Sequence, residues 1–509
     1  MAKRDFESEK DKLDRTVIAI PLLEKIEAEE KAATAARRKK GEHHPQLFPI
    51  IIDLNLNFPG GREEAKRLTL EWIDLAIEQK GTLSKTEQGV HLAKTRLSNQ
   101  YVFAELEGQV IKELARLNQG AEQGRGPVYR IWPDFEVHAL LTRSVMTVKA
   151  DAARVSFSAQ GQGIVWAVMD SGIDEHHPHF QKHGNLQLPP PLLHQDFTAL
   201  AGSEQPLVDD FGHGTHVAGI LAGEAASGTT PTGEKVEVRF ATRLRDESGK
   251  VLLKVEPLAA ISGIAPRCKI LSLKVLDNTG VGRASSLIAA IAAIQEINGY
   301  GRRLLIQGVN ISVGYEFDPE WFACGQSPLC VEVDRLVRSG VVVVVAAGNT
   351  GYGYIQAQGV AAAGRAGLDL TINDPGNANL AITVGSTHRD MPHVYGVSYF
   401  SSKGPTGDGR LKPDLVAPGE KIISCAAGTK RNVLKASNSD AEYVEDSGTS
   451  MAAPHVSGAI AAFLSIRQEF IGRPEEVKQI FLSTATDLKR ERYFQGHGLV
   501  DLMRAIQSV

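Results

Sequence analysis

The chain has 509 residues, 42% of them hydrophobic, with 56 basic and 60 acidic residues and a formal net charge of -4. This length can bury a large core and suggests two domains, or one domain with a substantial extension. The near balance of charge disfavours a nucleic-acid-binding protein, and the basic run 37–40 stands among acids, as is typical of a solvated surface.

The first ten residues are charged and lack the apolar core of a secretory signal, and no uninterrupted apolar run is long enough to span a membrane. Four cysteines are few for a secreted scaffold and lack paired zinc spacing: Cys268, Cys324, Cys330 and Cys425. We therefore expect a cytoplasmic protein with free thiols. A loop closed by Cys324 and Cys330, and export by an unusual route, stay open as alternatives.

Residues 1–141 predict a compact α+β domain, distinct from a second domain over 142–509. A charged, helix-prone leader runs to about Gly41. The predicted elements after it are a strand over Leu47–Leu54, a helix over Glu63–Glu78, a strand over Tyr101–Leu106, a helix over Val110–Leu117 and an extended stretch over Val128–Leu141.

An acid ends the first apolar run of the second domain. Asp170 follows the run 163–169 and precedes a Ser171-Gly172 turn. A buried strand that ends in an acid places the carboxylate at the edge of the sheet where open α/β sheets hold their ligands. A nucleotide-binding acid is the weaker interpretation, because no glycine-rich phosphate loop opens a helix here.

Two histidines, His213 and His216, lie in a segment of small residues that would let a helix pack closely. Either ring is a candidate general base. An insertion from Gly223 to about Ala260 follows, in which 236–244 and 250–255 alternate around a turn at 246–249 and predict a hairpin.

Asn349 and Ser450 are the two further polar candidates for the site. Asn349 comes after the strand Val341–Val345, where asparagine could be only a turn residue. Ser450 ends a turn of small residues that runs into an apolar helical stretch, where serine could be only an N-cap. A reactive serine also needs a base, an orienting carboxylate and donors for an oxyanion, and the chain offers a candidate for each.

Together these segments resemble the subtilisin-like serine proteases, the subtilases, over roughly residues 142 to 509. The order Asp170, His213, Ser450 is the one described for subtilisin. Segments 401–405, 412–419 and 496–500 fit the family pattern as well. The resemblance implies an α/β fold, a parallel sheet with helices on both faces, behind a smaller α+β domain that is similar to subtilase propeptides.

The implied activity is that of a serine endopeptidase working through an acyl-enzyme. His213 would be the base, Asp170 its orienting acid and Asn349 an oxyanion donor. Two edges would bind the substrate strand, formed by Gly280, Val281 and Gly282 and by Ser312, Val313 and Gly314, with the base of the first pocket near Thr371–Gly376. The alternative is a subtilase-fold binding or regulatory protein without turnover, which would have no physical need to keep all four polar residues.

Calcium binding is where the chain departs from the family. In subtilases the segment matching 170–174 is commonly followed by histidine, proline and an acid that helps bind calcium, whereas here His177-Pro178 is followed by His179. The usual calcium loop is replaced by the insertion after Gly223. We expect no required cofactor, no assigned metal ligands and no strong calcium site.

The segment 130–141 is extended and apolar and lies where the propeptides of the family end. It would occupy the substrate cleft and be cut between Leu140 and Arg143. The N-terminal domain would then remain as an intramolecular inhibitor of an enzyme that acts on proteins or peptides. A permanent regulatory domain on an uncleaved linker is the alternative.

Overall fold

The structure, a computed structural model, describes residues 17–38, 45–85, 87–120, 126–134, 136–139, 147–198, 204–229, 235–245, 251–318, 320, 323–355 and 364–509. The described residues form two compact units. One is drawn from Met1–Phe135 and Arg283–Ala292, the other from Glu136–Gly282 and Ala293–Val509. The predicted boundary at residue 141 lies outside the described residues.

The first unit is an α+β domain. Its elements are α1 (Ile20–Arg38), β1 (Leu47–Leu54), α2 (Gly61–Lys80), β2 (Gly89–Val90), α3 (Leu92–Leu97), β3 (Tyr101–Glu107), α4 (Gly108–Gln119) and β4 (Val128–Pro133). The four strands form an antiparallel sheet in the order β2-β3-β1-β4. Apolar side chains of the sheet, α1, α2 and α4 share one core. The two predicted strands and the two predicted helices are confirmed, each helix being longer than predicted by two residues at either end.

The predicted extended stretch Val128–Leu141 is confirmed over two strands, β4, which ends at Pro133, and β5 (Glu136–Ala139). Residues 135 and 140–141 lie outside the described residues. The buried carboxylate of Asp134 lies between the two strands and accepts a hydrogen bond from the backbone N–H of Ser285 at 2.7 Å and another from the Ser285 hydroxyl. Because an acid at a helix N-terminus satisfies otherwise unpaired N–H groups, this contact caps the helix that begins at Ala284.

The second unit is built on a seven-stranded parallel sheet. Its strands are β6 (Val165–Asp170), β7 (Gln195–Asp196), β14 (Lys269–Lys274), β16 (Gly308–Ile311), β18 (Val342–Ala346), β21 (Ile382–His388) and β22 (Leu415–Glu420). Their order in the sheet is β22-β21-β18-β16-β6-β14-β7. All six residues of β6 are buried. Strands buried on both faces are typical of parallel sheets covered by helices, which confirms the predicted α/β class.

The helices of this unit pack against the sheet and against one another. They are α5 (Ala150–Phe157), α6 (His213–Leu221), α7 (Ala284–Ile297), α8 (Pro328–Arg338), α9 (Pro392–Tyr395), α10 (Gly428–Ala436), α11 (Thr449–Ile466), α12 (Pro474–Thr484), α13 (Arg492–Gln495) and α14 (Leu502–Gln507), with 3₁₀ turns at Pro178–Phe180 and Gln468–Phe470. The first residues of α7, 284–292, are grouped with the first unit. Helix α11 is long and apolar enough to cross a membrane by composition, but 89% of it is buried inside the protein.

Short strands and hairpins complete the second unit. They are β8 (Glu224–Ala226), β9 (Gly228–Thr229), β10 (Lys235–Val236), β11 (Val238–Arg245), β12 (Val251–Leu258), β13 (Ala260–Ser262), β15 (Val281–Arg283), β17 (Val313–Gly314), β19 (Tyr352–Ile355), β20 (Gly364–Gly367), β23 (Ile422–Cys425) and β24 (Tyr443–Asp446). Strands β11 and β12 pair over their full length, so the predicted hairpin in the insertion is confirmed. Its strand β11 also pairs with β24, the strand that precedes Ser450.

Candidate active site

Asp170 is the last residue of β6 and is 1% exposed. Its Oδ1 atom accepts a hydrogen bond from the backbone N–H of Ser171 at 2.8 Å and lies 2.7 Å from Nδ1 of His213. The carboxylate is thus at the carboxyl edge of the parallel sheet, as the sequence predicted. A carboxylate on Nδ1 places the proton of a neutral imidazole on that nitrogen, so Nε2 is the atom able to accept another proton.

His213 is the first residue of α6 and is fully buried. The helix begins close to β6 because glycines flank this histidine. A Cβ atom on Gly214 would lie 2.2 Å from the carbonyl oxygen of Gly172 and 3.0 Å from Cβ of Asp170. Only glycine permits this approach, which holds the imidazole against the carboxylate.

The turn before His213 is held by Asp209, a buried acid that sequence reasoning missed. Its carboxylate accepts hydrogen bonds from the Ser171 hydroxyl at 2.8 Å, from the Gly212 N–H at 2.7 Å and from the Thr215 N–H at 2.8 Å and hydroxyl at 2.6 Å. Burial raises the pKa of Asp209 above its ordinary value. Asp209 therefore ties the end of β6 to the first turn of α6.

The other candidate base, His216, faces a different direction. Its Nε2 atom lies 3.1 Å from the carbonyl oxygen of Val444 in β24. His216 lies about one turn after His213 in α6 and contacts β24, whereas Nδ1 of His213 contacts Asp170, so the geometry favours His213 as the base.

Ser450 is the second residue of α11 and is fully buried. Its hydroxyl donates to the carbonyl oxygen of Ser312 at 2.9 Å, and the hydroxyl of Ser312 donates to the carbonyl oxygen of Ser450 at 2.7 Å. Ser312 follows Ile311, which pairs with Met169 in the parallel sheet, so Ser312 and Asp170 continue neighbouring strands at the same edge. The hydroxyl of Ser450 is therefore held at that edge.

Asn349 lies just beyond β18, and its side-chain orientation is fixed. Its Oδ1 atom accepts from the N–H of Thr449 at 2.8 Å and from the Thr449 hydroxyl at 3.1 Å, and that hydroxyl in turn accepts from the N–H of Gly348 at 3.1 Å. Because an N–H group can only donate, the oxygen of the amide must face Thr449. The Nδ2 donor therefore points away from Thr449, the residue before Ser450. Thr449 was not singled out from the sequence.

The two predicted substrate edges, Gly280–Gly282 and Ser312–Gly314, enclose a strand of the chain itself. Strands β15, β5 and β17 form one sheet, with β5 in the middle. Val313 pairs with Ala139 and Gly314 with His138, antiparallel. Going forward along β5 therefore means going backward along β17, toward Ser312 and hence toward Ser450.

The segment predicted to form the base of the first pocket, Thr371–Gly376, contacts the residues that follow β17 and β18. Asp374 exchanges two backbone hydrogen bonds with Tyr315, each of 3.0 Å, and the N–H of Asn373 donates to the carbonyl oxygen of Ala347 at 2.9 Å. The Oδ1 atom of Asn373 accepts from the Thr350 hydroxyl at 3.1 Å. A polar, nearly buried Asn373 thus lies between β17 and the segment that carries Asn349.

Comparison with known proteins agrees with this geometry. The model of the subtilase family matches residues 161–498. The chain belongs to the subtilase family. It is a subtilisin-like serine endopeptidase, and its substrates are proteins or peptides.

Similar proteins carry protease names. The chain is 28% identical over 369 residues to serine protease AprX of Bacillus subtilis, covering 71% of this chain and 70% of that protein. Subtilisin E of Bacillus subtilis is 28% identical over 363 residues, with the same two shares. The major intracellular serine protease of Bacillus subtilis is 28% identical over 325 residues, covering 63% of this chain and 75% of that protein.

Proposed function

We propose that this subtilase cleaves peptide bonds through an Asp170-His213-Ser450 triad and an acyl-enzyme intermediate. The observation that carries the proposal is the 2.7 Å contact between the Asp170 carboxylate and Nδ1 of His213, at the same sheet edge as the hydroxyl of Ser450. The carboxylate holds the tautomer whose Nε2 can accept a proton, and it stabilises the imidazolium that forms.

The reaction proceeds in two halves. The Ser450 hydroxyl turns from the Ser312 carbonyl toward His213, gives its proton to Nε2 and attacks the carbonyl carbon of the scissile bond. The bond to the amine breaks as His213 returns the proton to the leaving nitrogen. Water then attacks the acyl-enzyme by the same route, releases the carboxylic acid and restores the proton to Ser450.

The tetrahedral intermediate carries a negative oxygen that needs donors aimed at it in advance. Nδ2 of Asn349 and the backbone N–H of Ser450, at the start of α11, are the proposed donors. Thr449 acts as a positioning residue, because its N–H and hydroxyl fix which end of the Asn349 amide faces the site.

The substrate binds as an added strand between β15 and β17. Backbone hydrogen bonds to both edges would give affinity without regard to sequence, and alternate side chains would enter pockets. The arrangement of β5 supports this mode, since a segment of this same chain already adopts it.

We further propose that residues 1–141 act as an intramolecular inhibitor and are cut from the protease by its own triad. Strand β5 runs toward Ser312 and Ser450, and Asp134, just before it, caps α7. The proposed scissile bond lies between Leu140 and Arg143, outside the described residues. No cofactor enters the proposed reaction, and the cytoplasm is the proposed location, with no nucleic acid or membrane as partner.

A fluorophosphonate probe tests the triad directly, because it reacts with a serine only when that serine is activated. We expect labelling of Ser450 in the purified wild type, which processing should free from the tethered strand β5, and none in Ser450→Ala or His213→Ala. Ser457→Ala is the matched control: this serine lies in the same helix, and its hydroxyl donates to Asn310 at 2.9 Å. Labelling that survives Ser450→Ala, or the absence of labelling together with the absence of peptide hydrolysis, would contradict the proposal.

A further inference from the structure

Phe211 is a partly exposed aromatic residue two positions before His213. The centroid of its ring lies 6.4 Å from the centroid of the imidazole, with the two planes tilted by 43°. The far end of the ring meets Gly280, because a Cβ atom on this glycine would lie 2.4 Å from Cζ of Phe211 and 2.6 Å from each of its Cε atoms. The ring therefore reaches from the proposed general base to the first residue of a proposed substrate edge.

Hydrogen bonds hold the two turns that place the ring. The N–H of Gly212, which follows Phe211, donates to the Asp209 carboxylate at 2.7 Å. At the other end of the ring, the N–H of Gly280 donates to the carbonyl oxygen of Asp277 at 3.1 Å. The ring is therefore held in place, and because it is partly exposed, part of its surface can contact a ligand.

The register of β5 shows which substrate residue would lie opposite each residue of the edge that contains β17. Ala139 of β5 pairs with Val313. The next residue of a bound strand would lie opposite Ser312, whose carbonyl oxygen accepts from the Ser450 hydroxyl at 2.9 Å. That residue therefore carries the scissile carbonyl. The residue opposite Val313 is the second substrate residue before the scissile bond.

The second substrate residue faces away from the first pocket. A Cβ atom on Gly314 would lie 2.6 Å from the carbonyl oxygen of Asp374 and 3.8 Å from Cβ of Asn373, so this position of β17 faces the pocket. Residues paired across antiparallel strands share a face, and successive residues alternate between faces. The substrate residues opposite Ser312 and Gly314 therefore face the pocket, and the one opposite Val313 faces the other way.

The first pocket and Phe211 lie on opposite sides of the substrate position. In the large sheet, β16, which leads into β17, separates β18 from β6 and β14. Asn373 contacts the backbone that follows β18. Phe211 instead contacts His213, which is paired with Asp170 at the end of β6, and Gly280, which follows β14. The side chain that faces away from the pocket is thus directed toward Phe211.

We propose that Phe211 is a specificity-determining residue, which contacts the second substrate residue before the scissile bond and favours an apolar side chain there. The hydrocarbon ring has no hydrogen-bonding group, so a polar side chain packed against it would lose water without gaining a partner. An apolar side chain gains free energy from the same burial. The assignment rests on the proposed function, because it takes the place of the scissile bond from Ser450 as the nucleophile.

The test compares peptides that differ only in the second residue before the scissile bond, which is leucine or asparagine, two side chains of similar size. We expect the wild type to show a roughly tenfold higher kcat/KM for leucine, equivalent to about 1.4 kcal/mol. Phe211→Ala should reduce this ratio to near one, whereas Phe211→Leu, which keeps an apolar side chain, should retain most of it. The same exchange at the third residue, which faces away from the ring, should give a ratio that Phe211→Ala does not change.

Phe157→Ala, at a phenylalanine of α5 that is 39% exposed, is the matched control and should keep the leucine preference. A wild type without the preference, or Phe211→Ala that retains it, would overturn the assignment. An equal decrease in kcat/KM for both peptides in Phe211→Ala would also overturn it, because the ring would then only support the turn at Gly280. Failure of the wild type to hydrolyse any of the peptides would count against the proposed function and not against Phe211 alone.

Discussion

Acid should destabilise this protein through two buried histidines. His177 contacts the carbonyl oxygen of Glu442 through Nε2 at 2.9 Å, and its Nδ1 accepts from the N–H of His179 at 3.3 Å. Nε2 of His179 contacts the carbonyl oxygen of Gly219 at 3.1 Å. Both rings are fully buried, and burial lowers the pKa of His177 to about 4 and that of His179 to about 3, from an ordinary value of 6.5.

The direction in which stability changes with pH follows from proton binding by the unfolded and folded chains. Between pH 6.5 and about 4 the unfolded chain takes up a proton at His177 and the folded chain does not, so stability is complete above this window and falls as the pH decreases through it. One pKa unit is worth about 1.36 kcal/mol, so lowering the pH from 7 to 5 should cost about 2 kcal/mol of unfolding free energy at His177.

The perturbation is His177→Gln in a Ser450→Ala background, which prevents self-digestion during unfolding. Glutamine can donate to the Glu442 carbonyl but cannot titrate. Urea unfolding at pH 7 and pH 5 should show the parent losing about 2 kcal/mol more than the variant. His393→Gln, at an exposed histidine, is the control and should behave as the parent does. Equal losses in parent and His177→Gln would refute the reasoning.

Four further predictions concern catalysis, calcium and processing. Asn349→Ala should lower kcat about 10²–10³-fold with little change in KM, a size taken from the loss of such a donor in a subtilisin; unchanged turnover of a peptide ester would exclude the oxyanion role. The kcat/KM for that ester should rise through about pH 6–8 as His213 loses its proton, and a profile that falls there would count against this base. EDTA should lower the melting temperature less than it does for a calcium-binding subtilase, and a large decrease in a thermal scan would reveal a calcium site. On a denaturing gel the wild type should separate into two fragments with a new N-terminus between Leu140 and Arg143, and Ser450→Ala should stay one chain; an intact wild type that hydrolyses peptides would contradict processing.

The sheet and the order of its functional loops could be predicted because they depend on local pattern. The apolar runs before Asp170 and Asn349 form β6 and β18, each buried throughout. Where parallel strands end, their loops meet at one edge, so an acid after β6 and an amide after β18 come together without further information. The hairpin of the insertion could also be predicted, because apolar and polar residues alternate on both sides of a turn.

Several contacts could not be predicted because they join residues far apart in the chain. The sequence does not show that the Ser450 hydroxyl meets the Ser312 carbonyl, or that Thr449 fixes the Asn349 amide. The short elements β2 and α3 lack a full period of apolar residues and were missed. Nor does the sequence show that the Asp134 carboxylate accepts a hydrogen bond from Ser285, 151 positions away.

In the described residues, no group of three or more His, Cys, Asp or Glu side chains could hold a metal ion. At the position where the resemblance predicts a calcium-binding acid, His179 is enclosed by Gly219, His177 and Tyr443, with the Tyr443 hydroxyl 3.4 Å from its Nδ1. This ring is fully buried, and burial lowers its pKa to about 3. Calcium independence itself stays a prediction.

Strand β5 lies between the two proposed substrate edges as part of the same polypeptide, and this determines how it would compete with a substrate. A tethered segment sees its site at an effective concentration in the millimolar range when the linker is short, whatever the concentration of the protein. An uncut chain would therefore resist dilute substrates and would be equally inhibited at every dilution. Once the linker is cut, the same strand becomes a separate molecule whose occupancy falls on dilution, so the extent of inhibition would depend on how much protein is present.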